Sequence, residues 1–140
     1  MKKTLVVVMS AFLSMGIIGC ASTKDRLLDS DVSQVQIRSI QTRAFDTTNK
    51  EKTLRTVIST LQDLGFVIDK ADAVLGSVSA TKLDNYSLRM TVTVRPKGKT
   101  QLLVRANAQH NVEPVKDPEP YQQFFSALEK AMFLTAHQVE

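Results

Sequence analysis

The stretch YSLRMTVTVRPKGKTQLLVRANAQH, from Tyr86 to His110, decides the fold. Its first half alternates without a fault: Tyr86, Leu88, Met90, Val92 and Val94 fall in one phase, and Ser87, Arg89, Thr91, Thr93 and Arg95 in the other. Period two marks a strand with one buried and one solvated face. Pro96-Lys97-Gly98 reads as a three-residue hairpin loop, with Pro early in a type I turn and Gly where a left-handed backbone is required. The return strand puts Leu102, Val104, Ala106, Ala108 and His110 on one face and Gln101, Leu103, Arg105, Asn107 and Gln109 on the other. Such a hairpin has an apolar face that another layer must cover.

Two amphipathic helices supply that layer. Thr48-Asn49-Lys50-Glu51 fits a capping box, with the Thr48 hydroxyl on the Glu51 amide and the Glu51 carboxylate on the Thr48 amide. Leu54, Val57, Ile58, Leu61 and Leu64 follow as one stripe, with Lys52, Arg55, Thr56, Ser59, Gln62 and Asp63 off it, and Gly65 closes the helix. The second helix starts at Asp117-Pro118, read as N-cap and first helical position. Its apolar face runs through Tyr121, Phe124, Phe125, Leu128, Ala131, Met132, Thr135 and Val139.

The remaining strands are shorter. Val35 to Phe45 alternates imperfectly and predicts a first strand with a bulge or twist. Phe66 to Asp69 is a short strand, 71–76 a turn region, Ser77 to Lys82 an edge or half-exposed strand, and Asp84-Asn85 the next turn. Glu113 to Pro120 holds three of the four prolines and reads as a rigid connection. The order is β-α-β-β-β-β-α. It predicts an α+β two-layer sandwich, one antiparallel sheet with both helices on one face.

Upstream lies a segment of different character. Lys2 and Lys3 precede an uncharged apolar run from Leu5 to Ile18, too short for the roughly 20 residues of a membrane-crossing helix. This is the pattern of a signal peptide, after which the chain turns polar. Ile17-Ile18-Gly19-Cys20 resembles the lipobox of bacterial lipoproteins, with Ile18 a less common residue at its position. The resemblance implies cleavage after Gly19, a diacylglyceryl thioether on Cys20 and acylation of the new amino group. Ala21 at the following position, in place of Asp, implies delivery to the outer membrane with the domain facing the periplasm. The other reading is an ordinary secretory signal with an incidental thiol; a lone cysteine falling by accident at the end of the apolar run argues against it. Two or three acyl chains give stable membrane anchoring where one is marginal. The expected organisation is a signal peptide over 1–19, a lipidated tether over 20–34 able to reach about 50 Å when extended, and a single domain over 35–140.

Composition narrows the function by exclusion. Loss of Lys2 and Lys3 lowers the formal charge from +4 to +2, which makes no case for nucleic-acid binding. One cysteine forms no internal disulfide. His110 and His137 lack the company a zinc site needs; the first reads as a packing or rim residue, the second as a cation at a helix end. No Gly-rich phosphate loop and no GxSxG occurs, and Asp69 and Asp72 read as solvated turn acids. The expectation is a non-enzymatic protein without cofactors.

Two surface features remain. Arg89, Arg95 and Arg105 share the polar sheet face with Thr91, Thr93, Gln101, Asn107 and Gln109, a platform suited to an anionic envelope polymer or a partner protein; a merely solvated face is the alternative. Phe124 and Phe125 point about 100° apart on a helix, so both enter the core only if the buried arc is wide. Otherwise Phe125 is an exposed interaction aromatic. The segments Arg43-Ala44-Phe45-Asp46-Thr47-Thr48 and Leu61-Gln62-Asp63-Leu64-Gly65-Phe66 resemble small bacterial envelope lipoproteins sharing R-x-F-D-T and LQDLGF. The helix, "GF-apolar" strand and later hairpin are also similar to domains of the lipoprotein subunit of the outer-membrane β-barrel assembly machine. These resemblances imply an interaction or assembly module with an envelope protein partner, the alternative being a module for lipopolysaccharide or peptidoglycan, and they carry no catalytic residues.

Overall fold

The computed structural model describes residues 34–84 and 86–137. Expectations about Cys20, the signal and tether, Asn85 and Val139, and about the side chains of Asp84, Tyr86, Thr135 and His137, lie outside what it describes. In chain order, α1 covers residues 34–40, β1 Thr42–Phe45, α2 Lys50–Asp63, β2 Val67–Asp72, β3 Ser77–Asp84, β4 Tyr86–Lys97, β5 Gln101–His110, β6 Glu113–Pro114 and α3 Glu119–His137. The strands form one antiparallel sheet ordered β1-β5-β4-β3-β2, with β6 beside β5. This is the expected α+β fold and order, with α1 added, and with Glu113–Pro114, expected to belong to a connection and not a strand, pairing with β5 as β6.

The alternation in β4 and β5 decides which side is covered. Val92 lies opposite Ala106 and Val94 opposite Val104, all four fully buried. Leu54, Val57 and Leu61 of α2 and Tyr121, Phe124, Phe125 and Leu128 of α3 join them in one core. Burial of each such side chain contributes about 1.5–3 kcal/mol.

Helix α2 ends in a Schellman arrangement. The Phe66 amide donates to the Leu61 carbonyl and the Gly65 amide to the Gln62 carbonyl, both at 2.9 Å, with Gly65 at φ 84°. Phe66 and Leu61 are both buried, so the turn into β2 is pinned by the core. The N-terminus of α2 differs from the capping box. Asn49 is the cap, its side chain accepting from the Lys52 amide at 2.9 Å, while Glu51 pairs with Arg55 and the Thr47 hydroxyl accepts from the Asn49 amide. Asn is among the best N-caps, and here it stands one residue closer to the stripe than Thr48. At α3 Asp117 Oδ1 accepts from the Glu119 amide at 2.9 Å, as expected of a capping acid, but the helix begins at Glu119 and not at Pro118, whose carbonyl accepts from the Gln122 amide at 3.0 Å.

Two boundaries and one burial pattern correct the sequence reading. Val35 to Phe45 is not one strand: residues 34–40 are helical, closed by the Gln41 amide on the Ile37 carbonyl at 3.1 Å, and only Thr42–Phe45 pairs with β5. Ile37, Ile40 and Gln41 are the half-buried or buried positions, a spacing of three and four that suits a helix better than period two. The hairpin loop is Gly98-Lys99-Thr100, because β4 continues through Pro96 to Lys97. Pro96 is tolerated there since its nitrogen faces the side of β4 where β3 has already ended, at Ser77 opposite Thr93. Finally, Thr53, Thr56 and Thr60 are buried. Helix α2 packs against α3 as well as the sheet, so its covered arc is wider than the aliphatic stripe.

Candidate functional site

Directly opposed residues of an antiparallel pair share a face, so the register lays out the side of the sheet away from the core. Thr42, Arg105, Thr93 and Ser77 form one row; Asn107, Thr91, Ser79 and Lys70 the next; Gln109, Arg89 and Thr81 the third. These residues are exposed or half-buried. The rows carry hydroxyls at their centre, Ser79 and Thr91 meeting at 3.3 Å.

The three arginines do not act together. Arg89 Nε lies 4.0 Å from Asp69 Oδ2, which also accepts from the Thr81 hydroxyl at 2.7 Å. Asp69 sits where the β2–β3 register breaks, between Ile68 and Lys70. That bulge explains how a residue read as a turn acid reaches Arg89. Arg95 stands six residues further along β4, about 20 Å away at 3.3–3.4 Å per residue. It lies opposite Leu103, and Arg105 opposite Thr93, so the two arginines are diagonal neighbours. Diagonal positions are spaced by about 7–8 Å, within reach of two long side chains on one ligand. Together with Thr91, Thr93, Leu103 and Asn107 they line a shallow concavity of about 340 Å³. Among the described residues neither Arg95 nor Arg105 has an acidic partner.

The corrected loop boundary adds a residue that sequence reading missed. Lys97 belongs to β4 and to the phase of Arg95, and Lys99 follows in the loop. The unbroken alternation Thr93, Arg95, Lys97 was the available signal, hidden by the turn preference of Pro96.

Phe125 is corrected in the other direction. It is 2% exposed, packed edge-on to Phe124 at 5.1 Å and capped by the Arg43 guanidinium 5.2 Å from its ring centre. Both phenylalanines are core because α3 faces α2 as well as the sheet, and Phe125 offers no surface to a partner. His110, half-buried opposite Leu88, borders a second cavity of about 320 Å³ shared with Lys82, Asp117 and Glu119. Asp117 is occupied there in capping α3. Among the described residues no three His, Cys, Asp or Glu side chains are grouped to hold a metal ion.

The R-x-F-D-T run is accounted for by packing. Arg43 covers Phe125 and donates to the Ser39 and Thr42 carbonyls, Phe45 packs on the core, and Asp46 accepts from Gln101 at 2.7 Å. No helix among the described residues is long and apolar enough to cross a membrane. No protein-family model and no curated protein matches the chain.

Proposed function

We propose that the chain is a non-enzymatic lipoprotein of the bacterial outer membrane, anchored through acyl chains on Cys20, whose domain faces the periplasm and binds an envelope protein through its open sheet face. The anchor half is supported by the basic residues, the short apolar run and Ile17-Ile18-Gly19-Cys20 in succession. Its test is radiolabelled palmitate: the wild-type chain takes up label, and label persisting in Cys20→Ala would reject the anchor.

The binding half is carried by one observation, the diagonal pair Arg95 and Arg105 around a shallow concavity with no acidic partner among the described residues. Guanidinium groups left in water cost little, yet their fixed forks suit a planar oxyanion. Capture in native detergent with wild-type chain should recover an envelope protein that Arg95→Glu with Arg105→Glu does not. Equal recovery by both would reject this face.

The same pair favours a second reading, a module for an anionic envelope polymer such as lipopolysaccharide or peptidoglycan. In that case purified polymer retains the wild-type chain, and retention falls in the double charge reversal. Arg89→Glu alone should have a smaller effect, because Asp69 already attends Arg89.

A further inference from the structure

The β2–β3 turn and the β4–β5 loop occupy the same end of the sheet. Ser77 lies opposite Thr93, and the Val94 amide donates to the Gly76 carbonyl at 2.8 Å. At the apex of this turn Val74 is 89% exposed and Leu75 67% exposed. Two adjacent aliphatics held in water on a built turn call for explanation. The turn is fixed from three directions. Asp72 Oδ1 accepts from the Leu75 amide at 2.8 Å, the Asp72 carbonyl accepts from the Gly76 amide at 2.8 Å, and Lys50 Nζ donates to the Val74 carbonyl at 3.0 Å.

Cations gather at this end of the sheet. Lys50 opens α2 against the turn, and Arg95, Lys97 and Lys99 stand on the neighbouring hairpin. Against them this end carries the charged carboxylates of Asp46, hydrogen-bonded to Gln101, and of Asp72, hydrogen-bonded to the Leu75 amide, while Arg55 offsets the charge of Glu51. Four cations against two carboxylates leave the aliphatic tip at a net positive end of the domain.

We infer that this end of the domain docks onto an anionic lipid surface, with Val74 and Leu75 entering the boundary between headgroups and acyl chains and the lysines lying over the phosphates. A soluble anionic polymer would answer the amines and leave the aliphatic tip wet. An apolar protein pocket would take the tip and leave the amines unmatched. A bilayer leaflet with anionic headgroups supplies both layers at the right order of depth. This contact goes beyond the open-face reading and needs no acylation of Cys20.

The test uses the full chain with Cys20→Ser and Leu75→Cys, labelled at position 75 with an environment-sensitive fluorophore. The labelled chain is mixed with vesicles of phosphatidylcholine alone or of phosphatidylcholine with phosphatidylglycerol. The expected result is emission at shorter wavelength in the anionic vesicles only, reversed by added salt as the Debye length contracts. Lys97→Gln and Lys99→Gln should each lower the ratio of docked to free domain about fivefold. A Val112→Cys probe, 85% exposed beyond the opposite end of β5, should stay solvent-like in both vesicle types. A Val74→Cys probe repeats the measurement if labelling at 75 disturbs the turn. Identical emission in the two vesicle types, or an equal shift at Val112, overturns the inference. So does a shift produced by soluble polyphosphate without vesicles.

Discussion

The Tyr121 hydroxyl uses its one proton and both lone pairs. It donates to the Val115 carbonyl at 2.8 Å and accepts from the Ala108 amide at 3.2 Å and from Gln41 Nε2 at 3.1 Å. These bonds fall in a gap at the edge of β5, where β1 has not begun to pair and β6 pairs only with Gln109 and His110. The hydroxyl therefore stands in for a strand, at a site where Tyr121 is fully buried. Tyr121→Phe keeps the ring and strands these groups, and should cost about 2–3 kcal/mol, given 1–3 kcal/mol per unsatisfied buried group and some relaxation. The check is a lower urea midpoint with unchanged m-value. Thr60 gives the opposite expectation. Its hydroxyl is buried with no partner, unlike Thr53 and Thr56, whose hydroxyls donate to the Asn49 and Lys52 carbonyls. Thr60→Val should raise stability by about 1 kcal/mol, and a lowered midpoint would show that the hydroxyl has work the structure does not reveal. The ring of Tyr121 was legible as one position of an apolar stripe. Its hydroxyl was not, because Gln41 is eighty residues away in sequence.

Elements were legible where one period ruled without competition. β4 and β5 kept strict alternation, and LQDLGF announced a helix stop that Gly65 and Phe66 complete. Reading failed where two signals overlapped: in residues 34–45 a helical turn runs into a four-residue strand, and at Pro96 a turn former sits inside one. The glycines of the two neighbouring turns separate backbone conformation from packing. Gly76 and Gly98 both have positive φ, 70° and 65°. A Cβ on Gly98 would meet nothing within 4 Å, whereas one on Gly76 would lie 2.5 Å from the Val94 carbonyl oxygen and from Lys50 Cε. Gly98→Ala should cost only the left-handed penalty of about 1–2 kcal/mol. Gly76→Ala should cost clearly more, since Lys50 can swing away but the β4 backbone cannot. Thermal unfolding of the two variants side by side decides this, and equal losses would mean that β3 and β4 separate at no cost.

At the scale of the whole molecule, the sheet order grades stability across the fold. The described residues from Val35 onward form one compact unit, and its four-residue β1 closes the β5 edge only in part. The covered phase of β4 and β5 is buried between α2, α3 and flanking strands, with Val92, Val94, Val104, Ala106 and Ala108 fully inaccessible. β2, at the far edge, has one strand neighbour, a register break at Asp69 and no fully buried residue. The order of strands along the sheet was not in the hydrophobic pattern, since β1 reaches β5 across the length of the domain. The open face was legible as a phase of polar residues, but not as a site: register sets Arg95 diagonal to Arg105, and the bulge brings Asp69 to Arg89. Local opening draws on few buried contacts, so β2 should detach well below the global unfolding free energy. Amide hydrogen exchange in rising urea tests this directly. The amides of Val92, Val94, Val104 and Ala106 should exchange only by global unfolding, with full denaturant dependence. Amides of β2 should exchange faster and nearly independently of urea, because detaching one edge strand exposes little surface. If β2 amides instead merge with those of β4 at the lowest urea, the bulge and edge do not weaken that strand. The turn carrying Val74 and Leu75 would then be as rigid as the core it extends from.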